Sequence, residues 1–231
     1  MPPNSMEMVR RRFLQLPQLQ KTLVFGGLGM LSGWVATGGI LAILLYADSQ
    51  SLPIGMIIPV ILACLACPGL AFGLLVTGPL ETLRSGTLAR WMGSLSGAII
   101  LHPAAFVISL ATAGPVFTSN EPHDTAALLP MAIVGGVFGY MMTWICRGTS
   151  RKTWTLGAAA TAVAAVMATV ADAQLSGRFS GVGKEVSVIM HLSPLFVTLH
   201  CTIAASLSWQ DWPTIDRMPQ PPLDEPATLP P

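Results

Sequence analysis

The sequence predicts an all-α integral membrane protein with six transmembrane helices and with both chain ends in the cytoplasm. Hydrophobic residues make up 52% of the chain and charged residues only 10%, and the mean hydropathy is +0.62. A soluble domain of this length does not have such a composition. The charged residues also lie almost wholly between long apolar runs, which is typical of a polytopic membrane protein.

Each apolar run is long enough to cross a bilayer, because about 20 residues at 1.5 Å each cover the hydrocarbon core. The first run is too long for the apolar part of a signal peptide, so it is interpreted as an uncleaved anchor. Before it, residues 1–21 form a basic cytoplasmic segment; residues 22–208 form the membrane domain, and residues 209–231 form a proline-rich, disordered tail. The predicted spans are 22–46, 53–78, 91–113, 126–146, 154–174 and 186–208.

Lysine and arginine set the predicted orientation, since these residues are retained on the cytoplasmic side of a membrane. With the N-terminus inside, the outer loops contain only Arg178 and Lys184. The inner segments contain Arg10, Arg11, Arg12, Lys21, Arg84, Arg90, Arg147, Arg151, Lys152 and Arg217. This bias predicts a multi-pass protein of a bacterial inner membrane. Its partner is the lipid bilayer, and a formal net charge of +1 gives no indication of nucleic-acid binding.

Pairs of glycines four residues apart predict how the first four spans pack. Such pairs let helix backbones approach closely, which drives helix association where lipid removes most of the hydrophobic effect. The same faces could also join copies of the chain or other membrane subunits. The pairs are Gly29 and Gly33, Gly69 and Gly73, Gly93 and Gly97, and Gly135 and Gly139.

Proline predicts kinks in spans 2, 3 and 6, at Pro68, Pro103 and Pro194. Each kink frees a backbone carbonyl, which in a membrane must be satisfied by protein, water or an ion. Each of these prolines also lies close to a side chain that could act as a ligand. These side chains are Cys64 and Cys67 in span 2, His102 in span 3 and His191 in span 6, and Asp172 lies near the expected mouth of the seam that they form.

The thiols and imidazoles of this seam suggest several chemistries. Cys64 and Cys67 are spaced to place two sulfur ligands within one helical turn, which suits a soft metal ion such as copper(I) or zinc. Thiol redox exchange and plain packing of small hydrophobic side chains are the alternatives. His102 and His191 lie at similar estimated depths and could hold a haem. His200 follows His191 by nine residues and points to the opposite side of the helix, so these two cannot share a ligand.

Passage or binding of a small solute or soft metal ion is the leading hypothesis, as a facilitator or as the membrane subunit of a transporter. A non-catalytic assembly subunit is the alternative, and a membrane redox protein is third. No cofactor is required by the first two. An enzyme is less favoured, because Ser96 and His191, the best hydrolytic pair, lack evident oxyanion donors.

Overall fold

The computed structural model describes residues 5–49, 53–85, 87–117, 128–146, 149–178, 184–210 and 212. Every regular element in these ranges is helical, which confirms the all-α prediction. A short 3-10 turn, Ile54–Met56, precedes α3, and a π-helical turn, Gly73–Thr77, joins α3 to α4. The α-helices are α1 (Ser5–Gln15), α2 (Gln18–Ser49), α3 (Ile57–Phe72), α4 (Gly78–Ser85), α5 (Leu88–Phe117), α6 (Leu128–Ile145), α7 (Arg151–Arg178) and α8 (Lys184–Leu207).

Four helical segments in the described part of the chain are long and apolar enough to cross a membrane. They are Gln18–Ser49, Ile57–Ser85, Ala89–Gly114 and Arg151–Gln174. The apolar parts of α6 and α8, Leu128–Trp144 and Leu192–Leu207, are shorter. At 1.5 Å per residue these two parts are about 24 to 26 Å long. The chain is therefore a multi-pass membrane protein.

Helix α1 was not expected from the sequence, which was interpreted only as a basic segment over residues 1–21. Glu7 bridges Arg10 and Arg11 at the helical spacings of three and four residues. The guanidinium of Arg10 donates hydrogen bonds to the carbonyl oxygens of Leu83 and Arg84, at the C-terminal end of α4. Those terminal carbonyls have no partner within their own helix, so α1 caps α4.

The second membrane-crossing segment extends further than its predicted end at residue 78. Pro68 lies inside α3 without ending it, and a π-helical turn follows at Gly73–Thr77. There the backbone N–H of Gly78 bonds to the oxygen of Gly73, five residues earlier, as in a π-bulge. This wider turn lets the helix continue through Pro79 as α4.

Three of the four glycine pairs lie at close contacts between helices. Gly29 and Gly33 of α2 face α8, Gly69 and Gly73 face α5, and Gly135 and Gly139 of α6 face α7. A Cβ atom added at any of these six positions would lie closer than 3.0 Å to an atom of the facing helix. Gly93 and Gly97 of α5 differ, because a Cβ there would meet no neighbouring helix within 4 Å.

Helix α1, the α4–α5 connection and the end of α8 meet at one end of the bundle, which we call the α1 end. Arg10 joins α1 to α4 there, and the side chain of Gln18 donates to the carbonyl oxygen of Ser208, just past α8. Trp212 packs on Phe13 of α1 with ring centroids 5.2 Å apart. The α1 end therefore carries the N-terminal helix, the α4–α5 connection and the end of α8.

Candidate functional site

A buried cluster of three polar side chains joins α2, α5 and α8. Nε2 of His102 lies 3.0 Å from Nε2 of His200, and Nδ1 of His200 lies 2.9 Å from the hydroxyl oxygen of Ser32. His102 is 2% exposed, and the other two side chains are fully buried. Ser32, His200 and His102 thus form one continuous hydrogen-bonded chain inside the bundle, which we call the histidine cluster.

Aromatic rings enclose the histidine cluster. Phe138 of α6 stands edge-on to His102 at 5.0 Å between ring centroids. Phe72 of α3 and Phe196 of α8 stand against His200 at 5.1 and 5.9 Å. Five helices therefore meet at this point, and the only polar partners of the imidazoles found among the described residues are each other and Ser32.

Glycines let the helices approach closely enough to form the cluster. A Cβ at Gly29 of α2 would collide with the backbone carbonyl of His200, and one at Gly69 of α3 would lie 3.1 Å from the Cβ of His102. Any larger side chain at these positions would hold the helices apart. Close backbone approach is thus the local reason why two imidazoles and a hydroxyl meet in the interior.

The cluster can share and relay protons but cannot hold a haem between its two rings. One imidazole donates its Nε2 hydrogen and the other accepts it, and such a bond is strong where water is excluded. Metal–nitrogen bonds of about 2.0 to 2.1 Å on opposite sides of an ion separate the two nitrogens by about 4 Å. The observed separation of 3.0 Å is too short for that arrangement.

The sequence interpretation paired His102 with His191, and that pairing stays a prediction. The side chain that His102 contacts is His200, whereas the side chain of His191 lies outside the described part of α8. Counted from the α1 end, His102 is about 21 Å along α5 and His200 only about 10 Å along α8. Depth counted from each helix end assumes that all ends lie in one plane, and these ends do not.

Cys67 of α3 packs against α2, and Cys64 lies one helical turn before it on the same helix. Both are half-buried, and the thiol of Cys67 contacts the carbonyl oxygen of Ala36 at 3.8 Å and fits against Gly39. Asp172 lies half-buried near the C-terminal end of α7. Among the residues that the structure describes, no three histidine, cysteine or acidic side chains are grouped to hold a metal ion. The soft-metal site at Cys64 and Cys67 stays a prediction.

A cavity of about 750 Å³ lies between α4, α5 and α6, toward the α1 end. The lining residues farthest from the α1 end are Ala98 and Leu101 of α5 and Met142 of α6, and they are within about one helical turn of the contact between His102 and Phe138. The cavity is lined by Thr77, Glu81, Arg84, Ala89, Arg90, Gly93, Ser94, Gly97, Ala98, Leu101, Met142 and Cys146.

Small residues on α5 leave this space open. Helices α5 and α6 touch where His102 and Phe106 meet Phe138. Closer to the α1 end, α5 presents Gly93, Gly97 and their small neighbours, and no side chain fills the gap. This glycine pair was expected to pack helices, but it lines a cavity within this chain.

The cavity carries separated charges of both signs. Glu81 is 7% exposed, and Arg84 follows it by one helical turn. Yet within the described residues Glu81 forms no ion pair, although Arg84 and Arg90 line the same space. Cys146, just beyond α6, is buried beside these charges. Its burial, followed by the negative charge of Glu81, raises the pKa of the Cys146 thiol to about 12, and Arg84 opposes this effect.

Sequence reasoning missed His200, Ser32 and Glu81. His200 was considered only against His191 on its own helix, and no periodicity identifies a partner on another helix. Glu81 follows Pro79 and appeared to lie in a loop, although an acidic residue flanked by an apolar run on each side is a usable signal. No protein-family model, no curated protein sequence and no solved structure matches this chain.

Proposed function

We propose that this protein binds a small polar solute in the cavity between α4, α5 and α6 and passes it across the membrane. The observation that carries the proposal is the cavity itself, whose 750 Å³ could hold a small organic molecule. Polar groups converge in it: one buried carboxylate, two guanidinium groups and the hydroxyl of Ser94. A packing subunit has no need for a charged cavity of this size beside a membrane span.

The proposal includes six membrane crossings with both chain ends in the cytoplasm, so that the cavity opens on the cytoplasmic side. The α1 end carries Arg10, Arg84 and Arg90 as well as Arg151 and Lys152 at the start of α7, in accord with the retention of basic residues inside. The short apolar parts of α6 and α8 cross because they pack among longer helices.

The histidine cluster would close the far end of the cavity in this conformation. Phe138 and His102 meet about one turn beyond the lining residues farthest from the α1 end. A site open to one side and blocked toward the other by a packed layer is the arrangement that alternating access requires. Passage would then need the α5–α6 contact to open.

Solute flux into liposomes tests this function. Purified protein is reconstituted, and uptake of glycerol, urea, glycine and L-serine is compared with that of protein-free vesicles. Gly97 lines the cavity, and a Cβ there meets no neighbouring helix, so we expect the indole of Gly97→Trp to occupy the cavity and abolish flux. The matched control is Gly27→Trp, because Gly27 also faces open space but lies on the outer surface of α2.

Flux of at least one solute that Gly97→Trp removes and Gly27→Trp retains supports the proposal. No flux above protein-free vesicles for any solute, or equal flux in the two variants, would overturn it. If no solute shows flux, a non-catalytic assembly subunit that binds partner helices becomes the better description.

A further inference from the structure

We propose that the cavity recognises a molecule that carries both a primary ammonium group and a carboxylate or phosphate group. This inference deepens the proposed function, on whose cavity it rests, by naming the class of ligand. The ammonium would bind at Glu81, and the anionic group at Arg84 and Arg90. Glu81 should be the more selective of the two binding points, because it is buried whereas Arg84 is half-buried and Arg90 is exposed.

Among the described residues, Glu81 lacks the partner that a buried carboxylate usually has. A buried carboxylate is normally paired or hydrogen-bonded, because its transfer from water is costly. Glu81 is 93% buried, and its carboxylate has no hydrogen bond or ion pair within the described part of the chain. Since it lines the cavity, a ligand that enters can supply the missing donor.

The charged side chains that line the cavity do not pair with one another. Glu81 and Arg84 lie three residues apart on α4, a spacing at which such pairs often meet. They form no ion pair here, although both line the cavity. A molecule with charges of both signs could bridge them, whereas a simple anion would leave the carboxylate unpaired and a simple cation would leave the arginines unpaired.

The donors and acceptors in the cavity indicate which charged groups the ligand carries. An ammonium group donates hydrogen bonds to a carboxylate, whereas a quaternary trimethylammonium group cannot. Arginine binds carboxylate and phosphate through its planar fork of donors. Because Gly93 and Leu101 are exposed on α5, the cavity also opens beside the membrane. Both a free zwitterion and an ethanolamine phospholipid headgroup therefore have the required chemistry.

Equilibrium dialysis of the detergent-purified full chain tests the ligand class. The probes are O-phosphoethanolamine, glycine, ethanolamine and inorganic phosphate, at constant sodium concentration. We expect O-phosphoethanolamine or glycine to bind at least about tenfold more tightly than ethanolamine or phosphate alone. Native mass spectrometry provides the lipid arm, in which phosphatidylethanolamine should be retained in preference to phosphatidylglycerol and phosphatidylcholine.

Glu81→Gln and Arg84→Gln should each weaken binding of the preferred probe by about tenfold or more. The control Arg151→Gln, which removes an exposed charge on α7, should leave that binding unchanged. If Glu81→Gln does not fold, Glu81→Asp keeps the charge and should bind more weakly than wild type. Preferred binding of a zwitterionic probe in dialysis, or of phosphatidylethanolamine in mass spectrometry, supports the proposal. Which of the two is preferred shows whether the ligand is a free zwitterion or a lipid headgroup. The proposal is overturned if ethanolamine or phosphate alone binds as tightly as O-phosphoethanolamine and glycine. It is also overturned if substitution of Glu81 and Arg84 leaves binding unchanged.

This test is independent of the transport test. Zwitterion or lipid binding without flux would remove the transport function and leave the ligand class intact. Flux that Gly97→Trp blocks, with none of these zwitterions or lipids bound, would remove the ligand class and leave the transport function.

Discussion

At the scale of single residues, the interior of the bundle is organised by polar side chains that sequence patterns do not connect. His102 and His200 are 98 positions apart and meet at 3.0 Å, and Ser32 completes the chain from a third helix. Polar groups placed in an apolar interior are stabilised only by such partners. The histidine cluster therefore ties α2, α5 and α8 together by specific contacts.

A double-mutant cycle should detect the bond between the imidazoles. His102→Ala or His200→Ala leaves the other ring buried without its partner, so each should lower the free energy of unfolding by about 1 to 3 kcal/mol. Because the double variant loses the bond only once, we expect a coupling of about 0.6 to 1.7 kcal/mol, as for hydrogen bonds between membrane helices. Unfolding in mixed micelles, followed by circular dichroism, provides the measurement.

The control cycle pairs His102→Ala with Thr112→Ala, an exposed position on α5 whose hydroxyl bonds only within its own helix. Those two changes should be additive. If the two histidine substitutions are also additive to within about 0.3 kcal/mol, the imidazoles are not coupled and the cluster has no stabilising role.

The thiol of Cys146 should alkylate slowly and with an unusual pH dependence. Only the thiolate reacts, and a pKa raised from 9.0 to about 12 means that the thiolate fraction increases with pH up to about pH 12. At pH 8 it should be about a thousandfold lower than for an ordinary thiol. Iodoacetamide labelling in a variant with Cys64, Cys67 and Cys201 changed to serine measures this.

A single cysteine at the exposed position Thr87 provides the reference rate for Cys146 labelling. Removal of the negative charge by Glu81→Gln should lower the pKa of Cys146 and speed its labelling, whereas Arg84→Gln should slow it. Equal rates for Cys146 and the reference at pH 8 would contradict the burial of this thiol beside Glu81.

At the scale of helices, glycines have two opposite roles in this protein. On α2, α3 and α6 they allow the backbone of another helix to pack against them, and on α5 they keep a space empty. The Gly-x-x-x-Gly spacing is the same in both cases. Which role applies depends on whether the facing helix converges or diverges at that level.

Two neighbouring glycines on α2 allow a matched test of packing. Gly29→Ala would place a methyl group closer than 3.0 Å to the carbonyl of His200, so we expect a loss of about 1 to 3 kcal/mol of stability. Gly27→Ala meets open space, and its better helix propensity should leave stability unchanged or raise it by up to about 1 kcal/mol. Unfolding in mixed micelles compares the two, and equal stability would contradict the α2–α8 packing.

At the scale of the whole molecule, the arrangement places its polar features toward one end. The cavity, its arginines and helix α1 lie at the α1 end, and the histidine cluster lies deeper, where helices from both halves of the chain meet. The hydrogen bonds of Arg10 connect the N-terminal helix to α4, which carries Glu81. Movement of α4 would therefore affect both the cap and the cavity.

Cysteine accessibility should establish the number of crossings. In a cysteine-free background, Asp48→Cys and Asp172→Cys should react with an impermeant maleimide added to intact spheroplasts, and Thr87→Cys and Ser150→Cys should react only after lysis. This pattern follows from six crossings with the N-terminus inside. Labelling of Ser150→Cys in intact cells, with Thr87→Cys protected, would mean that α6 does not cross.

The sequence by itself determined that this is a multi-pass, all-helical membrane protein, because hydrocarbon excludes unsatisfied backbone groups and sets a minimum apolar length. It also located the residues at close contacts, such as Gly29 and Gly135. Only the tertiary structure decided that His102 meets His200, that α1 caps α4, and that the α5 glycines line a cavity. Those outcomes depend on the stagger and divergence of helices, which are set by pairwise packing between distant segments and leave no periodic signal within either one.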